Sequence, residues 1–230
     1  MDEWIDYYDS THTIYVSSLH RDVHFRTIAD DIIGYIPSAD ATVLDYSCGE
    51  ALFASRVAAA CGRLILAEPA PGVRGRLIAK FGAEVKIKVR SIDELRHLTD
   101  QTVDLTVMNS VAQYMTPADL DTAFALIRRL LKTDGRFVLG DVLDPNVGAV
   151  SDVWALLRFG ATHGFLQDAV LGLARTALSD YWQLRKRFGL QRYLEADMIA
   201  KLRKAGFSAQ RAPINIGHNQ TRMTFLARPV

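Results

Sequence analysis

Ala41-Thr42-Val43-Leu44-Asp45-Tyr46-Ser47-Cys48-Gly49-Glu50-Ala51 is the stretch whose reading fixes the architecture. An apolar, β-branched run ends on an acid and breaks into a Ser-Cys-Gly turn, the form of a buried strand feeding a tight connection. The breaker Pro37-Ser38-Ala39-Asp40 lies just before it. A helix is predicted from about Glu50, with Leu52, Val57 and the alanines to Ala60 as its apolar face and Gly62 as its C-terminal cap.

Outward from this unit, short Val/Ile/Leu runs alternate with helical patterns up to about Val142. That is the sequence form of a parallel sheet covered on both faces. Leu64-Ile65-Leu66-Ala67 is a second strand, stopped by Glu68-Pro69, and a helix follows over 73–81. Val85 to Val89 alternates at period two, which places a third strand near a sheet edge. Ser91 and Glu94 have capping-box spacing for a short helix through Leu98, and Val103 to Met108 is the fourth strand. Thr116-Pro117-Ala118-Asp119 starts a helix that presents Leu120, Phe124, Ile127 and Leu131 on one face. Asp134-Gly135 turns the chain into Phe137-Val138-Leu139, the fifth strand.

After Pro145 the alternation stops. A helical stretch to about Leu190, carrying Trp154, Phe159, Phe165, Tyr181 and Trp182, reads as an inserted cap. A helix over 195–205 ends at Gly206, and runs at 207–212 and 223–227 form a closing pair. The fold class is therefore α/β: a Rossmann-like, doubly wound, mostly parallel seven-stranded sheet with helices on both faces, an antiparallel terminal strand and a helical cap after the fifth strand. Residues 1–40, with a helix over 20–36, form an N-terminal helical lid segment, and residues 41–230 the main domain with its insertion at about 145–190.

Composition narrows the function. With 27 basic and 26 acidic residues, net +1, no global field draws the chain to nucleic acid, and a small-molecule partner is expected. The acidic start, Met1-Asp2-Glu3, lacks the basic and apolar signature of a secretory signal. Asp152, Arg158, Asp168 and Arg175 break up the most apolar region, so no integral membrane segment is expected. Two cysteines, Cys48 and Cys61, make no disulfide framework and suit a reducing cytoplasm.

In an open parallel sheet the crevice lies at the carboxyl ends of the strands. Glu68 stands 23 positions after Asp45, close to the roughly 20-residue offset at which an acid holds both ribose hydroxyls, so an adenosine ligand fits. A dinucleotide site wants G-x-G-x-x-G, whereas this turn has only Gly49. Asp45 would repel a pyrophosphate but pair with an ammonium, which points to S-adenosylmethionine.

Val43 to Ala51 resembles the first motif of the class I S-adenosylmethionine-dependent methyltransferases. Leu64 to Pro69 is similar to that family's second strand with its ribose-binding acid, and Ser91-Ile92-Asp93 to its adenine-binding segment. Asp104 to Tyr114 resembles the fourth-strand motif, and Leu130 to Phe137 the helix, turn and fifth strand after it. The resemblance covers Ala41 to about Val142. It implies methyl transfer from S-adenosylmethionine, with S-adenosylhomocysteine as product and no metal. It departs where the family usually has glycine and this chain has Ser47 and Ala51.

The cofactor candidates are Asp45, Ser47, Cys48, Gly49, Glu68, Pro69, Ile92, Asp93, Asn109 and Ser110. The substrate candidates are Gln113, Tyr114, Asp141 and His163, and the catalytic candidates Tyr114, Asp141 and His24. His20 and His24 share a helix face but show no third ligand. Aromatic side chains in the insertion suggest an apolar or aromatic acceptor, whose attacking atom (O, N, S or C) stays open, as does the oligomeric state. Two other readings stay open. A nicotinamide-dependent oxidoreductase would bind NAD and ignore the methyl donor. A non-catalytic S-adenosylmethionine-binding regulatory protein would bind the donor without turnover.

Overall fold

The computed structural model describes residues 5, 9, 15–176 and 189–230. Its centre is one seven-stranded sheet in the order β3-β2-β1-β4-β5-β7-β6. The strands are β1 (Thr42–Tyr46), β2 (Arg63–Ala67), β3 (Ile87–Arg90), β4 (Val103–Asn109), β5 (Leu131–Val142), β6 (Phe207–Arg211) and β7 (Met223–Pro229). β1 pairs in parallel with both β2 and β4, while β7 runs antiparallel to β5 and β6. The chain leaves β1 toward the β3 edge and then returns to β4 on the other side. The switch point, and hence the crevice, lies between β1 and β4.

Side-chain alternation along the strands feeds two cores. Val43, Leu64, Leu66, Leu105 and Val107 face α1 (Ser18–Tyr35), α2 (Ala54–Ala59) and α3 (Pro71–Phe81). Leu44, Tyr46, Ile65, Ala67 and Met108 face the other way, with α5 (Pro117–Leu130) and α8 (Glu195–Lys204). Between them along the chain sits the short α4 (Ile92–Leu95), whose Ser91 and Glu94 make both hydrogen bonds of the capping box. Thr116 caps α5 by accepting from Asp119 N, and Gly206, at φ +84°, follows the end of α8, as their sequences require.

Three boundaries differ from the sequence reading for physical reasons. The helix predicted from Glu50 begins only at Ala54, because Ser47, Gly49 and Ala51 all take positive φ and keep the chain coiled over the crevice. Gly62 is no helix cap, since the helix ends at Ala59. A Cβ there would stand 2.5 Å from the Asp40 carbonyl oxygen, so glycine permits a close backbone approach. β5 starts at Leu131, six positions before Phe137. Val103 pairs with Leu131 and Leu105 with Arg136, a register shift that absorbs the Asp134-Gly135 irregularity.

The insertion contains α6 (Ala149–His163) and α7 (Leu166–Thr176), joined through Gly164 at φ +82°. Phe159 and Phe165 bury against Val23 of α1, so the cap packs on the N-terminal helix. Trp154 instead stands 68% exposed on the outer side of α6, where it closes nothing. Tyr181 and Trp182 lie outside the described residues. Among the described residues no helix is long and apolar enough to cross a membrane.

Candidate functional site

The strand ends of β1, β2, β4 and β5 open into a cavity of about 580 Å³ that α1 covers. Of the sequence candidates, Asp45, Ser47, Cys48, Gly49, Glu68, Pro69, Asn109, Ser110, Gln113, Tyr114, Asp141 and His24 line it. Three do not. Ile92 faces a separate hollow beside Tyr46, Met115 and Leu126, and Asp93 projects outward to pair with Arg96 at 3.5 Å. His163 is exposed on the outer end of α6 with its ring against Phe159. A substrate role for His163 therefore has no geometric support, because α6 turns its last residue away from the crevice.

Backbone strain concentrates here. Among the described residues five non-glycine positions have positive φ, and four of them, Ser47 (59°), Ala51 (41°), Ser110 (59°) and Asp141 (58°), line the cavity. Each costs on the order of 1 kcal/mol or more, so the surrounding packing must impose it. Gly49, also at φ +59°, has no heavy atom within 4 Å of where a Cβ would stand, leaving its backbone open to a ligand.

The two acids play different parts. Glu68 anchors the loops: its Oε2 accepts from Gly49 N and its Oε1 from Ala70 N, both at 2.9 Å. Each oxygen keeps a lone pair for a further donor. Asp45 receives no hydrogen bond from any described residue, and burial, then the nearby Glu68 charge, pushes its carboxyl up to about 7. Burial also raises Glu68, partly offset by its two backbone donors, and holds the Cys48 thiol far above its usual range as an inert neutral group. Replacing Glu68 by alanine is expected to cost about 1–3 kcal/mol by leaving two backbone N–H groups unpaired. Chemical denaturation measures it, and an unchanged midpoint would show that the loops hold without it.

Several lining residues have no local sequence signal. Arg21 of α1 grips Glu50 through two hydrogen bonds, Nε to Oε2 at 2.9 Å and Nη2 to Oε1 at 2.5 Å, which draws the N-terminal helix onto the coiled loop. Tyr15 is half-buried beside this pair, with its ring against His20, His24 and Phe25. At the far end, Ser110 Oγ donates to Asp141 Oδ2 at 2.7 Å, and Arg222 completes that wall. Burial raises the Asp141 carboxyl, and Arg222 opposes the rise. His24, His20 and His218 form a ring cluster with centroids 5.9–6.4 Å apart. Burial holds them neutral, at about 3 for His24 and about 4 for the other two. His20 Nδ1 accepts from Val16 N, and among the described residues no group is arranged to hold a metal ion.

Comparison with known proteins agrees with this geometry. Residues 44–139 match the methyltransferase domain family. No curated protein matches the sequence. Among solved structures, the chain is similar to the protein of a DhpI–SAH complex, with 11% identity, 99% of this chain and 96% of that one covered and a TM-score of 0.61. It is also similar to the mitomycin 7-O-methyltransferase MmcR, with 19% identity, 90% and 54% covered and a TM-score of 0.59. A third similar structure is a complex between the Haloferax volcanii Trm112 methyltransferase activator and a putative methyltransferase, with 15% identity, 90% and 91% covered and a TM-score of 0.58. At these identities the likeness is one of fold. Sheet order, crevice and matched segment coincide: residues 44–139 match the methyltransferase domain family and carry the strands that build the cavity.

Proposed function

We propose that this protein binds S-adenosylmethionine in the cavity between β1 and β4 and transfers its methyl group to a small-molecule acceptor. The observation that carries the reading is Asp45, a carboxylate that opens on the cavity and has no donor among the described residues. Such a group is costly to bury unless a cation joins it. The ammonium of the cofactor supplies that cation. Gly49 leaves backbone open beside it, and the free lone pairs of Glu68 suit ribose hydroxyls. When bound, the cofactor supplies a methyl group made electrophilic by its sulfonium.

The chain's own part is positioning. The Arg21–Glu50 pair closes α1 over the loop, so this helix acts as a lid that keeps water from the reacting atoms. Asn109, Ser110, Gln113, Tyr114 and Asp141 surround the space the acceptor enters, and the buried Gln113 Oε1 has no hydrogen-bond partner among the described residues. His24, held neutral, and Asp141 are the bases within reach. The mitomycin enzyme, a small-molecule O-methyltransferase on this fold, supports a small acceptor.

Calorimetric titration tests the reading. S-adenosylmethionine and S-adenosylhomocysteine are expected to bind and NAD to leave the heat unchanged; the reverse pattern would favour an oxidoreductase. Donor binding with no methyl transfer across a broad acceptor panel would favour a regulatory protein. Because Asp45 must shed a proton to hold an ammonium, affinity is expected to fall as pH drops below about 7, by roughly tenfold per unit. A flat affinity profile from about pH 6 to 8 would remove Asp45 from the binding account.

A further inference from the structure

Arg222, in the segment just before β7, has a side chain only 14% exposed and is divided between two acids. Its Nε and Nη2 donate to Asp152 Oδ1 of α6 at 3.2 and 2.8 Å, and Asn219 Nδ2 donates to the same oxygen at 2.9 Å. Nη1 faces Asp141 Oδ2 from 3.9 Å, too far for a hydrogen bond, and both residues line the cavity. Two atoms that far apart can each lie about 2.9 Å from one oxygen set beside the line between them. Asp141 is held in this place by Ser110 Oγ, by its N–H donation to Asn215 Oδ1 at 3.1 Å and by its strained φ of 58°.

We propose that Arg222 and Asp141 together select an acceptor that attacks through a hydroxyl oxygen, its O–H donating to Asp141 Oδ2 while the oxygen accepts from Arg222 Nη1. This rests on the methyltransferase reading and narrows its substrate class. An oxygen has two lone pairs, one for Nη1 and one for attack. A neutral amine would spend its single pair on Nη1, and an ammonium has none to offer and is repelled by the guanidinium. The O–H proton passes to the Asp141 carboxylate and its electron pair stays on oxygen, stabilised by Arg222. The oxygen–methyl bond forms as the methyl–sulfur bond breaks, with that bonding pair left on sulfur as a neutral thioether. Asp141 then returns the proton to water. The sum is hydroxyl plus sulfonium giving methyl ether, thioether and one proton.

Two ring-matched probes test this without turnover: para-nitrophenol and para-nitroaniline, each titrated at up to millimolar concentration with and without S-adenosylhomocysteine. The phenol is expected to bind at least roughly tenfold tighter, and its visible absorbance to show ionisation shifted toward phenolate on the protein. Arg222→Met abolishes both the preference and the shift, and Arg222→Lys keeps the charge but loses part of the preference with the fork geometry. Should Arg222→Met lose the cap's anchor and fail to fold, Asp141→Asn leaves the Arg222–Asp152 pair in place. It is expected to keep the shift yet bind un-ionised phenol about tenfold more weakly. Equal binding of the two probes to the wild type, no binding of either, or a preference unchanged in Arg222→Met overturns the assignment. A silent S-adenosylhomocysteine titration overturns the cofactor reading instead, while the probe arms run without it still judge Arg222 and Asp141.

Discussion

Asp45→Asn is expected to weaken S-adenosylmethionine binding by roughly a hundredfold while making the ligand-free protein more stable. The two effects have one cause. Among the described residues Asp45 has no hydrogen-bond donor, and burial and Glu68 hold its carboxyl at about 7, so above that pH a charge that none of them compensates sits in the cavity. The native state binds a proton there that the unfolded chain releases at a lower pH. This group's contribution is therefore lost as pH rises toward 7, and at pH 8 the neutral asparagine relieves it. A gain of about 1 kcal/mol corresponds to a rise of about 2–4 °C in thermal midpoint for a chain of this size. Thermal melts at pH 8 with and without the cofactor, beside calorimetric titration, give both readings. A variant that keeps its affinity, or melts lower than the wild type without ligand, would show that Asp45 is a structural acid.

Acid lability centred on His24 is the second large effect. Burial, with His218 and His20 adding repulsion, holds its imidazole at about 3, below the 6.5 of an exposed histidine. Between those values the unfolded chain binds a proton that the native state refuses, so this contribution to stability is full above about pH 6.5 and lost as pH falls toward 3. By about pH 5 the loss is on the order of 2 kcal/mol for His24. Asp45, Glu68 and Asp141, all raised by burial, work in the opposite sense over part of the same range. The measurement is therefore the difference between wild type and His24→Leu in urea denaturation from about pH 7 to 5, which isolates one imidazole. The wild type is expected to lose stability relative to the variant as pH falls; parallel curves would mean that the cluster opens to water before it titrates.

Legibility in the sequence followed the range of the forces involved. Periodicity and turn chemistry act over a few residues, and the order of the seven strands, the Ser91–Glu94 box, the Thr116 cap and the Gly206 helix end follow the local pattern, while strand bounds such as the early start of β5 do not. Asp45 and Glu68 were legible for the same reason, because each ends a strand in a repeating unit. The late start of α2 was not, since it depends on positive φ at Ser47 and Ala51, which neither side chain favours and only the packed loop imposes. Ile92 and Asp93 follow their short helix away from the cavity, a direction set by how α4 packs on the sheet.

The acceptor wall was the least legible part. Arg222 meets Asp152 across 70 positions, Arg21 meets Glu50 across 29, and Gly217 N donates to Asp31 across 186. No spacing rule reaches that far. The sequence by itself determined the strand and helix order, the crevice at the strand ends and the pair of acids that face it, because alternating burial and turn residues leave a parallel sheet few other ways to close. Only the tertiary structure decided which acid lacks a donor among the described residues, which histidines stay neutral and which arginine lines the cavity beside Asp141. Burial and charge proximity are properties of surfaces brought together in space, and chain order carries no record of them.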